Sequence, residues 1–145
     1  MANTAALSNQ FKSDMLGWVN GRSLKAALYF TASTTNATNT IYTVTGEASG
    51  TNYVAGGATV TNGNTASTVN STVTGDTQYW TPSASIVYPA NMSVAAFDTV
   101  MIYDATTPFH SIGTWSLGGS QTVVAGTVTL TMPTNNASTG LIRIS

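Results

Sequence analysis

A change of period at Gly21 constrains this chain more than any other feature. Beyond it, short runs rich in β-branched and aromatic residues cover 24–31, 40–45, 66–73, 85–88, 97–103, 110–115, 128–132 and 141–144. Between them lie Gly56-Gly57, Asn62-Gly63, Gly75-Asp76, Gly118-Gly119 and Asn135-Asn136, residue pairs that tolerate the positive φ of tight turns. No helical pattern is interleaved, so a parallel α/β sheet is excluded. The expectation is an all-β fold, a β-sandwich or jelly roll of short antiparallel strands. With 145 residues the chain is long enough for one sizeable core, and no repeat of solenoid length is visible. Residues 22–145 are therefore expected to form a single domain.

Before Gly21 the period is that of a helix. Leu7, Phe11, Met15 and then Trp18 or Val19 recur at helical spacing, with Asn3 or Thr4 placed to cap the start and Gly21 to close the end. Residues 1–21 thus read as one amphipathic α-helix. Its stripe either packs on the chain's own core or docks on a neighbouring subunit. Residues 59–77, dominated by Thr, Asn and Ser, form either a solvated hairpin or an excursion ordered by a partner.

Charge narrows the function. Asp, Glu, Lys and Arg make up 6% of the chain, against about 25% in an ordinary soluble domain. Thr, Ser, Asn and Gly carry the polar surface instead, giving a neutral exterior with little side-chain entropy to lose under a partner. Lys12, Arg22, Lys25 and Arg143 are the only cations and the net charge is −1, so the basic stripe that nucleic acid requires is missing. No run of residues is long and apolar enough for a membrane span. Met1-Ala2-Asn3-Thr4 carries no basic n-region, so synthesis in a cytoplasm without a secretory signal is expected.

The chemical inventory points away from catalysis. There is no Cys, His110 is the single His, and the acids are Asp14, Glu47, Asp76, Asp98 and Asp104. No Gly-x-Ser-x-Gly elbow supports a Ser nucleophile, and Asp98 and Asp104 sit about 20 Å apart on one extended strand, too far for a paired-carboxylate site. No catalytic residue, cofactor or metal is assigned. Gly46, Glu47, Gly50, Gly56 and Gly57 shape a loop, and no Lys-Ser/Thr follows the last two as a phosphate loop would demand. Glu47 either accepts from backbone amides of that loop or pairs with Lys25 or Arg22 across a subunit contact. Tyr79 and Trp80, adjacent on an extended segment, face opposite ways, so one of them meets solvent or a partner. The candidate protein-interface residues are Leu7, Phe11, Met15, Trp18, Tyr79 and Trp80.

These residues carry a resemblance. Leu24-Lys25-Ala26-Ala27-Leu28-Tyr29, followed by Tyr42-Thr43-Val44-Thr45-Gly46-Glu47-Ala48-Ser49-Gly50-Thr51-Asn52-Tyr53-Val54-Ala55-Gly56-Gly57, resembles a pattern of small structural proteins of tailed bacteriophages. In that pattern a K-x-A-L-Y strand precedes T-G-E-x-S-G-x-x-Y-x-A-G-G. Phe97-Asp98-Thr99-Val100-Met101-Ile102-Tyr103-Asp104 is similar to the family's apolar strand ending in I-Y-N/D, and the closing strands agree as well. Around 77–93 the chain departs from the family's W-S-x-A-x-F segment. The resemblance implies a virion protein assembled in the host cytoplasm, without cofactor or catalytic residues. Its implied role is a capsid decoration or cement protein, binding the major capsid protein or other virion proteins as a homo-oligomer. The alternative it leaves open is a tail, collar or fibre component, including a host-glycan-binding module.

Overall fold

A computed structural model describes residues 6–63 and 77–145. The run at 66–73, the Gly75-Asp76 pair, Asn3 and Thr4 lie outside the described residues. In chain order the elements are α1 (Asn9–Asn20), β1 (Leu24–Phe30), β2 (Ala58–Thr59), β3 (Gln78–Trp80), β4 (Ile86–Val87), β5 (Met92–Asp104), β6 (Ser111–Gly126), β7 (Thr129–Leu130) and β8 (Ile142–Ile144). One short helix precedes antiparallel sheets, so the fold is all-β with an N-terminal helix. The chain divides into two compact units.

The first unit contains the described residues of Met1–Gly21, Asn62–Ser83 and Met132–Ser145. Ser8, extended at φ −68°, ψ 144°, caps α1 and accepts the Phe11 N–H at 3.2 Å. Gly21 closes it, its N–H reaching the carbonyls of Gly17 and Trp18. The face that α1 buries is Lys12, Leu16 and Val19. Two stripes of equal spacing compete on this helix. Lys12 interrupts the apolar character of the buried one, and reading by hydrophobicity therefore selects Phe11, Met15 and Trp18, which stay exposed. Lys12 is buried along its whole length, 2% exposed, and so belongs to the packed face in spite of its charge. β3 and β8 pair antiparallel, with Tyr79 opposite Arg143 and Trp80 opposite Ile142. Trp80 is fully buried and donates from Nε1 to Asn20 Oδ1 (2.8 Å), tying the last helical residue to the ribbon.

The second unit, Arg22–Thr61 with Ala84–Thr131, is a four-stranded sheet in the order β2-β1-β5-β6 plus the ribbon β4–β7. β1 lies at its centre. Leu24, Ala26, Ala27, Leu28 and Tyr29 are all buried, so this strand is covered on both faces and reads as a continuous apolar run instead of an alternating one. β5 supplies Val100, Met101, Ile102 and Tyr103 to the same core, in register with β1 from Leu24 opposite Asp104 to Tyr29 opposite Thr99. The run at 40–45 is not a strand. Ile41 makes one bridge to His110, and the chain then turns, with Gly46 at φ +79° and the Glu47 N–H returning to Val44 O. Tyr42 contributes its side chain, and Thr43 its backbone carbonyl, to the second unit's tyrosine cluster, while Ile41 and Val44 stay exposed.

Candidate functional site

Every tyrosine of the chain except Tyr79 gathers around one carboxylate in the second unit. Glu47 is buried. Its Oε1 accepts from the Tyr53 hydroxyl (2.8 Å) and the Gly56 N–H (2.7 Å), and its Oε2 accepts from the Tyr42 hydroxyl (2.5 Å). Tyr53 in turn accepts the Leu28 N–H of β1 (3.0 Å). Tyr29 donates to Thr43 O, Tyr88 to Ala26 O and Tyr103 to Gly56 O. The rings of Tyr42 and Tyr103 stack at 4.3 Å, with Phe109 edge-on to both. Loop 42–57 is thereby fastened to β1 through a charge-assisted hub in which both carboxylate oxygens accept, Oε1 twice and Oε2 once.

The electrostatics follow from burial beside an anion. Burial raises Tyr53, Tyr88 and Tyr42 far above the ordinary phenol range, and the Glu47 carboxylate adds to it in each. Tyr103 is pushed up to about 12 and Tyr29 is raised too, burial again leading. All are held as neutral hydrogen-bond donors at any physiological pH.

Two glycines of the loop are required by close approach. A Cβ on Gly57, at φ +77°, would lie 1.7 Å from Ala26 O, and one on Gly50 would lie 2.0 Å from Ser93 O. Gly46 and Gly56 also have positive φ, and the Gly57 N–H closes a turn onto Val54 O. The expected amide contact of Glu47 is present as the Gly56 N–H. The tyrosine hydroxyls were missed. The signal for them was available: Tyr42 and Tyr53 flank the loop's single acid, and a buried carboxylate needs several donors.

The sequence-derived interface residues separate in the first unit. Leu7 and Phe11 are each 52% exposed, Met15 44% and Trp18 45%, so the stripe faces outward. Trp80 is core, while Tyr79 is half-buried. His110 is exposed at the start of β6, Asp98 accepts the Thr99 hydroxyl, and Asp104 accepts the Thr106 N–H and meets Arg22 at 3.5 Å. Among the described residues no three His, Asp or Glu side chains converge as a metal site would require, and no helix is long and apolar enough to cross a membrane. Compared with family models, curated proteins and solved structures, the chain matches none.

Proposed function

We propose that this chain is a non-catalytic structural protein of a tailed-phage particle, a head decoration or cement protein that binds the capsid lattice as a homo-oligomer after assembly in the host cytoplasm. The observation that carries this reading is the outward stripe of Phe11, Met15 and Trp18 on a helix whose other face is already packed, with Leu7 exposed just before the helix cap. Monomeric soluble proteins rarely present contiguous large apolar side chains without a use for them. Asp14, bonded to Gln10, is the acid beside the stripe, and over the chain as a whole hydroxyl and amide groups carry the polar surface and lose little on being covered. Loop 42–57, where the resemblance to phage structural proteins is densest, is a rigid scaffold held by Glu47. It serves shape and not turnover.

For the second unit we propose a β-sandwich or jelly-roll arrangement, supported by its antiparallel four-stranded sheet accompanied by the separate antiparallel ribbon β4–β7. The alternative of a tail or fibre glycan binder is less well supported, because Trp80, Tyr29, Tyr88 and Tyr103 are buried inside the units, and Trp18 and Trp115, the more open tryptophans, lie on separate elements of different units. Binding of purified protein to particles assembled without it tests the proposal: saturable binding that raises the particles' thermal tolerance is expected. Absence of binding would overturn it.

A further inference from the structure

Among the described residues β6 ends its sheet, and its outer edge is covered only at the start. There residues 40–42 run antiparallel to 109–111: Ile41 faces His110, Tyr42 N–H donates to Phe109 O (2.8 Å) and Ser111 N–H donates to Thr40 O (3.0 Å). Upstream of Thr40 the chain turns away through Asn36 and Asn39, whose backbones bond to each other at 3.0 Å. A groove of about 510 Å³ is left between that turn and Ser111, Ile112, Gly113 and Thr114. Along 112–117 no hydrogen bond from the described residues reaches the outer backbone groups. This open edge is about 20 Å long at the rise of an extended strand.

Natural edge strands are blunted by charge, by proline or by a covering segment. Ser111–Gly126 contains no Asp, Glu, Lys, Arg or Pro. It carries Ile112, Trp115 and Leu117 half-buried, with their remaining surface open. Residues 113–116 are in regular register with 99–102, so this part of the edge is straight. Gly118 and Gly119, at φ +82° and +143°, then carry the chain out of that line.

We propose that this edge is the contact between two copies of the chain, β6 pairing antiparallel with β6 of a second copy about a two-fold axis normal to the sheet and centred on Trp115. In this register Trp115 faces its own counterpart, Thr114 faces Ser116 and Gly113 faces Leu117. Charge favours a second copy as the occupant. A neutral strand set against itself meets no like charge and strands none, whereas a charged partner segment would bury a charge against hydroxyls and apolar groups. Geometry limits the pairing at both ends, because the Gly118-Gly119 departure of one copy falls opposite Ser111, where residues 40–42 occupy the other. The contact is isologous and closes as a dimer. Its short length makes it weak by itself, suited to copies already brought together on a lattice. The inference rests on the homo-oligomeric part of the proposed function.

A charge exchange tests it. Thr114→Lys/Ser116→Lys in one preparation and Thr114→Glu/Ser116→Glu in another put like charges opposite each other in a self-pair and opposite charges together in a mixed pair. Sedimentation velocity should find concentration-dependent dimers for the native chain, monomers for each variant alone and dimers again in the equimolar mixture. Ser116→Lys alone, at an exposed position, should weaken dimerisation at least tenfold with an unchanged melting temperature, which guards against a folding defect in the double variants. A monomeric native chain at all concentrations, variants that dimerise as well as the native chain, or a mixture that stays monomeric would each overturn the edge contact. Variants that fail to dimerise yet still bind particles leave the decoration role standing. Dimers that pair as described but bind no particle refute that role alone.

Discussion

Replacing Glu47 by Ala should be among the most damaging single changes in the second unit. The substitution leaves the Tyr53 hydroxyl and the Gly56 N–H without their acceptor inside the protein, and frees the Tyr42 hydroxyl at the half-exposed rim. A buried donor left unpaired costs about 1–3 kcal/mol, and water can reach Tyr42, so the two inner donors set the scale at about 3–5 kcal/mol in total. For a chain of this size that corresponds to a fall of about 9–15 °C in melting temperature. Glu47→Gln keeps a carbonyl oxygen for Tyr53 and Gly56 and presents its amide to Tyr42, whose hydroxyl can turn to accept, so a loss of about 1–2 kcal/mol is expected. Thermal unfolding followed by near-ultraviolet circular dichroism, which reads the tyrosine cluster directly, is the assay. If Glu47→Ala melted within about 3 °C of the native chain, the hub would not hold the loop and the reasoning would fail.

Other outcomes follow from the same geometry. Gly57→Ala forces a Cβ into Ala26 O at a positive φ and should prevent soluble folding, read as loss of soluble expression, while Gly17→Ala, with nothing within 4 Å of its added Cβ, should be tolerated. The tyrosines are raised in the folded state above an unfolded value near 10, so their contribution to stability is complete below that value and is lost as pH rises through the folded values; denaturant midpoints should hold to about pH 9–10 and then fall at higher pH. Asn20→Ala removes the acceptor of Trp80 Nε1 and should lower stability by about 1–2 kcal/mol, measured by urea unfolding. With so few charges on the chain, its association should change little with added salt, and release from particles by moderate salt alone would contradict that.

The sequence made the strand-rich class legible because β1 is a continuous apolar run and the apolar parts of β5 and β6, 97–103 and 111–115, are rich in β-branched and aromatic residues; the continuation of β6 through Gly118-Gly119, a pair that reads as a turn, was not legible. β2 and β3 were not legible. They are two- and three-residue pairings, and nothing in Ala58-Thr59 or Gln78-Tyr79-Trp80 repeats often enough to set a period. The run at 40–45 misled for the opposite reason: only residues 40–42 join the ladder, Tyr42 serves a side-chain cluster, and Ile41 and Val44 stay exposed. On α1, Lys12 concealed the packed face, because hydropathy scores its charge. The glycines of loop 42–57 were legible as turn formers, yet their close contacts with Ala26 and Ser93 belong to tertiary packing and leave no local mark. The Glu47 hub lay between these cases, foreseen as an amide contact but not as the meeting point of three donors.

The most direct test of the central claim uses the exposed stripe. Leu7→Gln, Phe11→Gln and Met15→Gln combined alter residues that are about half exposed and spare Lys12, Leu16 and Val19, so the isolated chain should melt within about 2 °C of the native one. Native and variant proteins are added to particles assembled without the chain, bound copies are counted, and the particles are heated until they release their genome. The account predicts that the native protein binds saturably and raises the release temperature, and that the folded variant binds at least tenfold more weakly and protects little. Equal binding and protection by the variant would remove the stripe from the mechanism, and no protection by the native protein would contradict the decoration role itself.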